Sequence, residues 1–223
     1  MDNIYTAVIS LGGCCGIVQQ LNRLGLRKFA YPFDWIQNNL LIVTDNIRTD
    51  FENFFDVEPV KIPNANPPLD IRFSWHRYKR EPIHGLPKTD VPHLYGFPHH
   101  NCDLPEIRET FQRRIDRWKK ILEENRNVIL FAYETFEFDL SQIEDFVETM
   151  SNYYPELSFH LVVIHEEWDD SLVNSADEYI EIIALTDKYT IYQIHLKNLR
   201  QAISPDMEKF YDYIFGKYKY NLS

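Results

Sequence analysis

Two adjacent cysteines, Cys14 and Cys15, directly follow the glycine pair Gly12–Gly13. The apolar, β-rich run Tyr5–Leu11 before them predicts a buried strand. Apolar residues at helical spacing after them predict a helix that ends at Gly25. A thiol at a helix N-terminus lies at the positive end of the helix dipole, which can lower its pKa and make it a nucleophile.

The same turn supports two other interpretations. The backbone N–H groups at the start of the helix, around Gly13–Gly16, could hold an oxyanion or a phosphate, and the pair Gly12–Gly13 lets the backbone approach such a ligand closely. The cysteines could equally be two small residues that pack a tight turn, because free cysteine is often buried. Residue types and spacing alone leave all three interpretations open.

A histidine-rich segment supplies the second candidate for chemistry. His99, His100, Cys102 and Asp103 lie close together and could supply a general base or a metal ligand. Adjacent histidines in an extended segment point in opposite directions, so one of them reaches a given site. The chain has no CxxC pair, so we expect no metal and no cofactor. His165, at the end of a predicted buried strand, is a second candidate for the base.

A lone carboxylate, Asp34, lies in the aromatic segment Tyr31–Trp35. A buried carboxylate needs hydrogen-bond partners. Asp34 therefore caps a helix N-terminus, pairs with Arg27, or orients a histidine, as the acid of a Cys–His–acid set does. Arg113 and Arg114 flank the apolar stripe of a predicted long helix. They either face solvent or reach an anionic ligand at the cysteine turn.

Composition limits the classes of protein to which the chain can belong. It has 223 residues, 44% of them hydrophobic, and a formal net charge of −11, which argues against a nucleic-acid or anionic-membrane binder. We expect no transmembrane helix, because no window holds about 18 consecutive apolar residues. The first residues lack the basic region of a secretory signal. Three cysteines, two of them adjacent, do not favour a disulfide framework, so we expect reduced thiols and a cytoplasmic protein.

The order of the predicted elements favours an α/β fold. A strand and a helix begin the chain, and a second helix that Asn38 or Asn39 can cap is predicted to end near residues 54–55. Helices alternate with strands after residue 104, where Tyr189–Leu196 is interpreted as an edge strand. We expect a single domain over residues 1–223, with a central, mostly parallel sheet flanked by helices in a Rossmann-like three-layer arrangement. Residues 56–104 are predicted to form a loop-rich insertion. A papain-like α+β fold is the alternative.

Five short motifs resemble the DUF1796 family, whose members are described as papain-like cysteine peptidases and occur in bacteria and large DNA viruses. The motifs are SLGGCC (Ser10–Cys15), LGLR (Leu24–Arg27), YPFDW (Tyr31–Trp35), YGFPH (Tyr95–His99) and FQRRIDR (Phe111–Arg117). The resemblance covers roughly residues 6–131. It implies a papain-like activity that depends on a thiolate–imidazolium pair.

The resemblance also assigns roles to particular residues. The family's cysteine stands three residues after the glycine of Ser-Leu-Gly, which here selects Cys15 as the nucleophile. The family's histidine corresponds to His99, the general base, and Asp34 is the expected orienting acid. The chain departs from the family at His100, where an aspartate is usual, and at Ala132, where an arginine is usual.

Three functions compete at this point. The first, which we expect, is a cysteine-dependent hydrolase, either a papain-like peptidase or an acyl transferase, that acts on a peptide or small-molecule substrate through Cys15 and His99. The second is a Rossmann-like transferase or ligand-binding domain for a nucleotide, sugar or phosphate group, assisted by Arg27 or Arg113. The third is a non-catalytic protein that binds a protein partner. We expect no nucleic acid or membrane as a partner, and a viral chain would act in the host cytoplasm.

Overall fold

A computed structural model describes residues 3–55, 57–59, 74–78, 94–97, 104–124, 128–135, 139–168, 179–196 and 207–222. Its elements, in chain order, are β1 (Ile4–Tyr5), β2 (Ala7–Ser10), α1 (Cys15–Arg23), α2 (Leu40–Arg48), β3 (Val57–Pro59), β4 (Ser74–Tyr78), β5 (Leu94–Phe97), α3 (Pro105–Glu123), β6 (Val128–Thr135), α4 (Leu140–Tyr153), β7 (Ser158–Trp168), β8 (Tyr179–Leu185), β9 (Tyr189–Leu196), α5 (Glu208–Phe215) and β10 (Lys219–Tyr220).

The main sheet has five strands in the order β2–β6–β7–β9–β8. The first four run parallel to one another, and β8 pairs antiparallel with β9 at one edge. The protein is therefore a mixed α/β protein with a central, mostly parallel sheet, as its sequence predicts. β1 and β10 form a separate parallel pair. β3, β4 and β5 form a small antiparallel sheet inside the segment predicted to be loop-rich.

Helices cover both faces of the main sheet. Neighbouring residues on each strand point to opposite faces, so Ile9, Phe131 and Val163 pack with α2, α3 and α4 on one face. Val8 and Ala132 pack with α1 and α5 on the other. The start of α1 consequently lies beside the carboxyl ends of the parallel strands, on the face that it shares with α5.

Helix α1 forms as its sequence predicts, and its C-terminus is a Schellman motif. The N–H of Leu26 donates to the carbonyl of Leu21 at 2.9 Å, and the N–H of Gly25 donates to the carbonyl of Asn22 at 3.0 Å. Gly25 has a φ of +68°, a left-handed backbone conformation that residues other than glycine rarely adopt. The glycine therefore ends the helix by its backbone conformation.

Two sequence interpretations are wrong. Tyr189–Leu196 is not an edge strand, because β9 is hydrogen-bonded to both β7 and β8. The edge strand next to β9 is β8, whose side chains are mostly exposed; Leu185, for example, is 63% exposed. Helix α2, predicted to end near residues 54–55, ends at Arg48. Asp50 and Phe51 have φ angles of +51° and +63°, which no right-handed helix contains.

Candidate active site

The turn between β2 and α1 is built around two glycines. Gly12 and Gly13 have φ angles of +82° and +88°, so glycine is favoured at both positions. The N–H of Gly12 donates to Ser10 Oγ at 3.1 Å, and the N–H of Gly13 donates to Asn38 Oδ1 at 2.6 Å. A Cβ on Gly13 would lie 1.6 Å from the carbonyl oxygen of Glu134. Both glycine N–H groups are thus bound by acceptors of the protein itself, and an anion at this turn would have to displace them.

The two cysteines occupy different positions at the start of α1. Cys14 is the N-cap residue, and its Sγ accepts a hydrogen bond from the N–H of Gly16 at 3.3 Å. Cys15 is the first residue of the helix and is half-buried. Burial, followed by the nearby charge of Glu134, raises the pKa of Cys15 to about 11, and both effects also raise the pKa of Cys14. Among the described residues, desolvation and the Glu134 carboxylate therefore outweigh the helix dipole and favour the protonated form of both thiols.

The N-terminus of α1 already holds an anionic group, the Glu134 side chain at the end of β6. Its Oε2 accepts a hydrogen bond from the N–H of Ile17 at 2.6 Å, and its Oε1 accepts one from the Tyr211 hydroxyl at 2.7 Å. Glu134 is only 1% exposed. A Cβ on Gly16 would approach its carboxylate to 2.8 Å. The protein's own carboxylate thus occupies the place where an oxyanion or a phosphate was predicted to bind.

A second buried glutamate, Glu166 on β7, lies beside the first. Glu166 is 2% exposed. The Tyr211 hydroxyl lies 3.5 Å from Glu166 Oε1 and 2.7 Å from Glu134 Oε1. Burial and the charge of Glu134 raise the pKa of Glu166 to about 10. Its Oε2 has no hydrogen-bond partner among the described residues. Glu166 is therefore protonated at neutral pH, beside Glu134. We call Glu134, Glu166 and Tyr211 the carboxyl cluster.

Neither glutamate was predicted from the sequence, although a signal was present. Glu134 directly follows the apolar run 128–133, and Glu166 directly follows the predicted strand 159–165. β6 and β7 are adjacent and parallel, so their carboxyl ends meet at one edge of the sheet. Ligand sites of α/β proteins gather at that edge. The first acidic residue after each buried strand was therefore a candidate.

Asp34 forms an ion pair with Arg27, as one of the alternative interpretations of its role predicts. Its Oδ2 accepts hydrogen bonds from Arg27 Nε at 2.7 Å and from the N–H of Tyr31 at 3.2 Å. The carboxyl is 1% exposed, so burial raises its pKa, and Arg27 opposes that rise. Arg114 donates to the carbonyl oxygen of Asp34 at 3.5 Å. In the described residues Asp34 and Arg114 therefore fix the turn after α1, which includes Trp35 at a φ of +64°.

Of the remaining predicted site residues, Arg113 and His165 are among the described residues, and His99 and His100 are not. Arg113 is exposed and donates to Thr110 Oγ1 at 2.9 Å, on the surface of α3. His99 and His100 lie outside the described residues, so their position relative to the cysteines stays a prediction. His165 is on β7, next to Glu166, and strand alternation directs it to the opposite face of the sheet from α1.

Glu134→Gln is expected to accelerate alkylation of Cys15. The substitution removes the negative charge that raises the pKa of this thiol, and a fall of one pKa unit increases the thiolate fraction at pH 8 about tenfold. The rate with iodoacetamide, followed by mass spectrometry, measures the effect. Glu148→Gln, at an exposed position on α4, is the control and should leave the rate unchanged. Equal rates for wild type and Glu134→Gln would contradict the electrostatic role of Glu134.

The fold and the site together define a class: a mixed α/β protein with a cysteine at the first turn of a helix, beside the carboxyl edge of a parallel sheet. The chain belongs to the family described as "Putative papain-like cysteine peptidase (DUF1796)", which matches residues 6–167. The resemblance inferred from the sequence is thus confirmed. The match continues past residue 131 to include Glu134 and Glu166.

A viral protein is also similar to part of the chain. "Uncharacterized protein R408" of Acanthamoeba polyphaga mimivirus is 38% identical over 58 residues, which are 26% of this chain and 26% of that protein. The chain thus spans about a quarter of the length of this curated relative. No solved structure matches the chain.

Two further properties concern only the described residues. None of their helices is both long and apolar enough to cross a membrane. No three of their His, Cys, Asp or Glu side chains are placed to hold a metal ion together. Cys102, which the sequence offers with His99 as a candidate metal ligand, lies outside the described residues.

Proposed function

We propose that the protein is a cysteine-dependent hydrolase, a peptidase or an acyl transferase, in which Cys15 is the nucleophile. Membership of a family named for cysteine peptidases supports a hydrolase in general. The observation that carries the choice of residue is the difference between the two thiols. Cys14 Sγ is used as the cap of α1, whereas Cys15 is less buried and its pKa is raised less.

In the proposed reaction, His99 takes the proton of the Cys15 thiol as the general base. The thiolate attacks the carbonyl carbon of the substrate, and a tetrahedral oxyanion forms. When that intermediate collapses, the bond to the leaving group breaks and His99 returns the proton to the leaving group. Water, or another nucleophile in a transferase, then releases the acyl group from Cys15. Asp34 was the expected orienting acid, but its carboxylate is bound by Arg27.

The raised pKa of Cys15 makes the role of a base testable. A thiol with a pKa of about 11 is about one part in ten thousand thiolate at pH 7. An imidazolium beside it stabilises the thiolate and lowers that pKa. The proposal therefore requires a histidine that comes within hydrogen-bond distance of Cys15. His99 is the candidate, and its neighbour His100 offers a matched control.

The experiment measures the pH dependence of alkylation of Cys15 and hydrolysis of a panel of fluorogenic peptides and esters. We expect a midpoint of alkylation well below 11 in the wild type, a shift to about 11 in His99→Ala, and no shift in His100→Ala. Cys15→Ala should lower any hydrolysis at least about a hundredfold, because the nucleophile is lost, whereas Cys14→Ala should retain most of it. A wild-type midpoint near 11 that neither histidine variant changes, or full activity of Cys15→Ala, would refute the proposal.

The second candidate function, a Rossmann-like domain that holds a nucleotide, sugar or phosphate group at the cysteine turn, is less well supported. The Glu134 carboxylate binds the N–H of Ile17 at the start of α1, and it would repel a second anion there. The N–H groups of Gly12 and Gly13 are also engaged. A non-catalytic protein with a protein partner, and a cytoplasmic location, both remain compatible with the net charge of −11.

A further inference from the structure

A pocket of about 680 Å³ lies beside β2, at a distance from the cysteine turn. It is lined by the first residues of β2, including Ala7, by the segment after α1, and by the second half of α3. The cysteine turn follows the carboxyl end of β2, whereas the pocket adjoins its amino end. Its volume is within the range of sites that bind small molecules.

Three cations converge on this pocket in a chain of strongly negative net charge. Lys28, Arg117 and Lys120 line it, together with the acids Asp116 and Glu124. The side chains of Lys28 and Lys120 are exposed, and neither forms an ion pair with a described residue. Asp116, by contrast, accepts a hydrogen bond from Gln112 at 2.9 Å. Two ammonium groups are therefore available to an anion that enters the pocket.

An exposed aromatic ring forms another part of the wall. Phe29 is 51% exposed, and the guanidinium carbon of Arg117 lies 5.5 Å from its ring centroid. Arg117 is held there by a hydrogen bond to the carbonyl of Ala30. The ring is therefore presented at a fixed place, where another flat ring could stack and displace water from an apolar surface.

A buried tyrosine forms a further part of the wall. Tyr31 is 3% exposed and contributes to the pocket wall. Burial raises the pKa of Tyr31 to about 12 and Arg117 opposes that rise, so the hydroxyl remains protonated at neutral pH. The pocket thus combines two ammonium groups and a guanidinium with the exposed aromatic ring of Phe29.

We propose that this pocket is a binding site for an anionic small molecule that carries an aromatic ring, with the anionic group at Lys28 and Lys120 and the ring on Phe29. A carboxylate and a phosphate share the required charge. The site uses neither cysteine and does not depend on the function proposed for Cys15.

Calorimetry with phenyl phosphate, 3-phenylpropionate, inorganic phosphate and benzyl alcohol tests the proposal. We expect at least one of the two ring-bearing anions to bind at least tenfold more tightly than inorganic phosphate and benzyl alcohol, and to bind Cys15→Ala equally well. Binding of only one of the two identifies the anionic group. If neither ring-bearing anion binds with a Kd below about 10 mM, or if inorganic phosphate binds as tightly as phenyl phosphate, the proposal is wrong.

Adjacent lysines on α3 provide a matched control. Lys120 lines the pocket, whereas Lys119 pairs with Asp50 at 2.6 Å. Lys120→Ala combined with Lys28→Ala should weaken binding of the ring-bearing anion at least tenfold, and Phe29→Ala should remove its advantage over inorganic phosphate. Lys119→Ala should have no effect. A loss in Lys119→Ala equal to that in the variant that combines Lys28→Ala with Lys120→Ala would show that binding follows general surface charge and would overturn the proposal.

Discussion

The free energy of unfolding of the wild-type protein is expected to fall as the pH rises from about 5 to about 9, and Glu166→Gln should remove most of that fall. The pKa of Glu166 is about 10 in the folded protein, against 4.5 for an ordinary glutamate. Between these two values the folded protein keeps a proton on Glu166 that the unfolded chain has lost. Stability therefore decreases with pH in this window, by up to about 1.4 kcal/mol per pH unit.

The cause of this dependence is the carboxyl cluster itself. Groups that face Glu166 include the Glu134 carboxylate, whose charge opposes a second charge on Glu166, and the Tyr211 hydroxyl. A glutamine at position 166 resembles the protonated side chain at every pH. The stability contribution of the Glu166 proton is fully present below pH 4.5 and is lost as the pH rises through about 10.

Urea unfolding at several pH values measures the effect. Wild type and Glu166→Gln should have similar stability near pH 5, and the variant should become the more stable of the two as the pH increases. Glu156→Gln, at an exposed position, is the control, and its stability should change with pH in parallel with the wild type. Parallel curves for wild type and Glu166→Gln would mean that Glu166 is ionised in the folded protein.

Gly13→Ala is expected to lower the free energy of unfolding by more than about 4 kcal/mol, a loss typical of severe core disruption. Gly13 has a φ of +88°, and an added Cβ would lie 1.6 Å from the carbonyl oxygen of Glu134 and 3.0 Å from the Tyr133 ring. The carbonyl belongs to the backbone of β6, so it cannot rotate away as a side chain could. The turn and the strand would have to separate, and the hydrogen bond from Gly13 to Asn38 would weaken.

Gly25→Ala separates this steric effect from backbone strain. Gly25 also has a positive φ, +68°, but an added Cβ would have no heavy atom within 4 Å. Its replacement should cost about 1–2 kcal/mol, the penalty of a left-handed conformation for alanine. Urea unfolding compares the two variants, and failure of Gly13→Ala alone to give folded protein would agree with the larger loss. Equal costs would contradict the close contact between the turn and β6.

The sequence predicted those parts of the fold that depend on local patterns. Helix α1 is fixed by apolar spacing and by Gly25, and the strands 179–185 and 189–196 are fixed by short apolar runs. Their order in the sheet depends on pairing between distant residues, so Tyr189–Leu196 was wrongly interpreted as the edge strand. The end of α2 depends on positive φ angles at Asp50 and Phe51, neither of which is a glycine.

The candidate site was predictable to a similar extent. The place of Cys15 at the start of α1 follows from a strand, a glycine pair and a helical pattern within one short stretch. The charge that acts on that thiol comes from Glu134 on β6, which no local pattern connects to it. The helix dipole therefore indicated a lowered pKa, and burial of the thiol together with the carboxylate of Glu134 reverses the direction.

The hydroxyl that Tyr211 donates to Glu134 also has a consequence for the order in which a growing chain can acquire its structure. The cysteine turn is synthesised before both of these residues: Glu134 is 117 residues after Ile17, and Tyr211 is a further 77 residues along. During translation, β2 and α1 leave the ribosome long before the strand that supplies the carboxylate, and α5 follows later still. A nascent chain would therefore expose both thiols without Glu134, and the carboxylate that helps to raise the pKa of Cys15 would join them only after β6 has been synthesised.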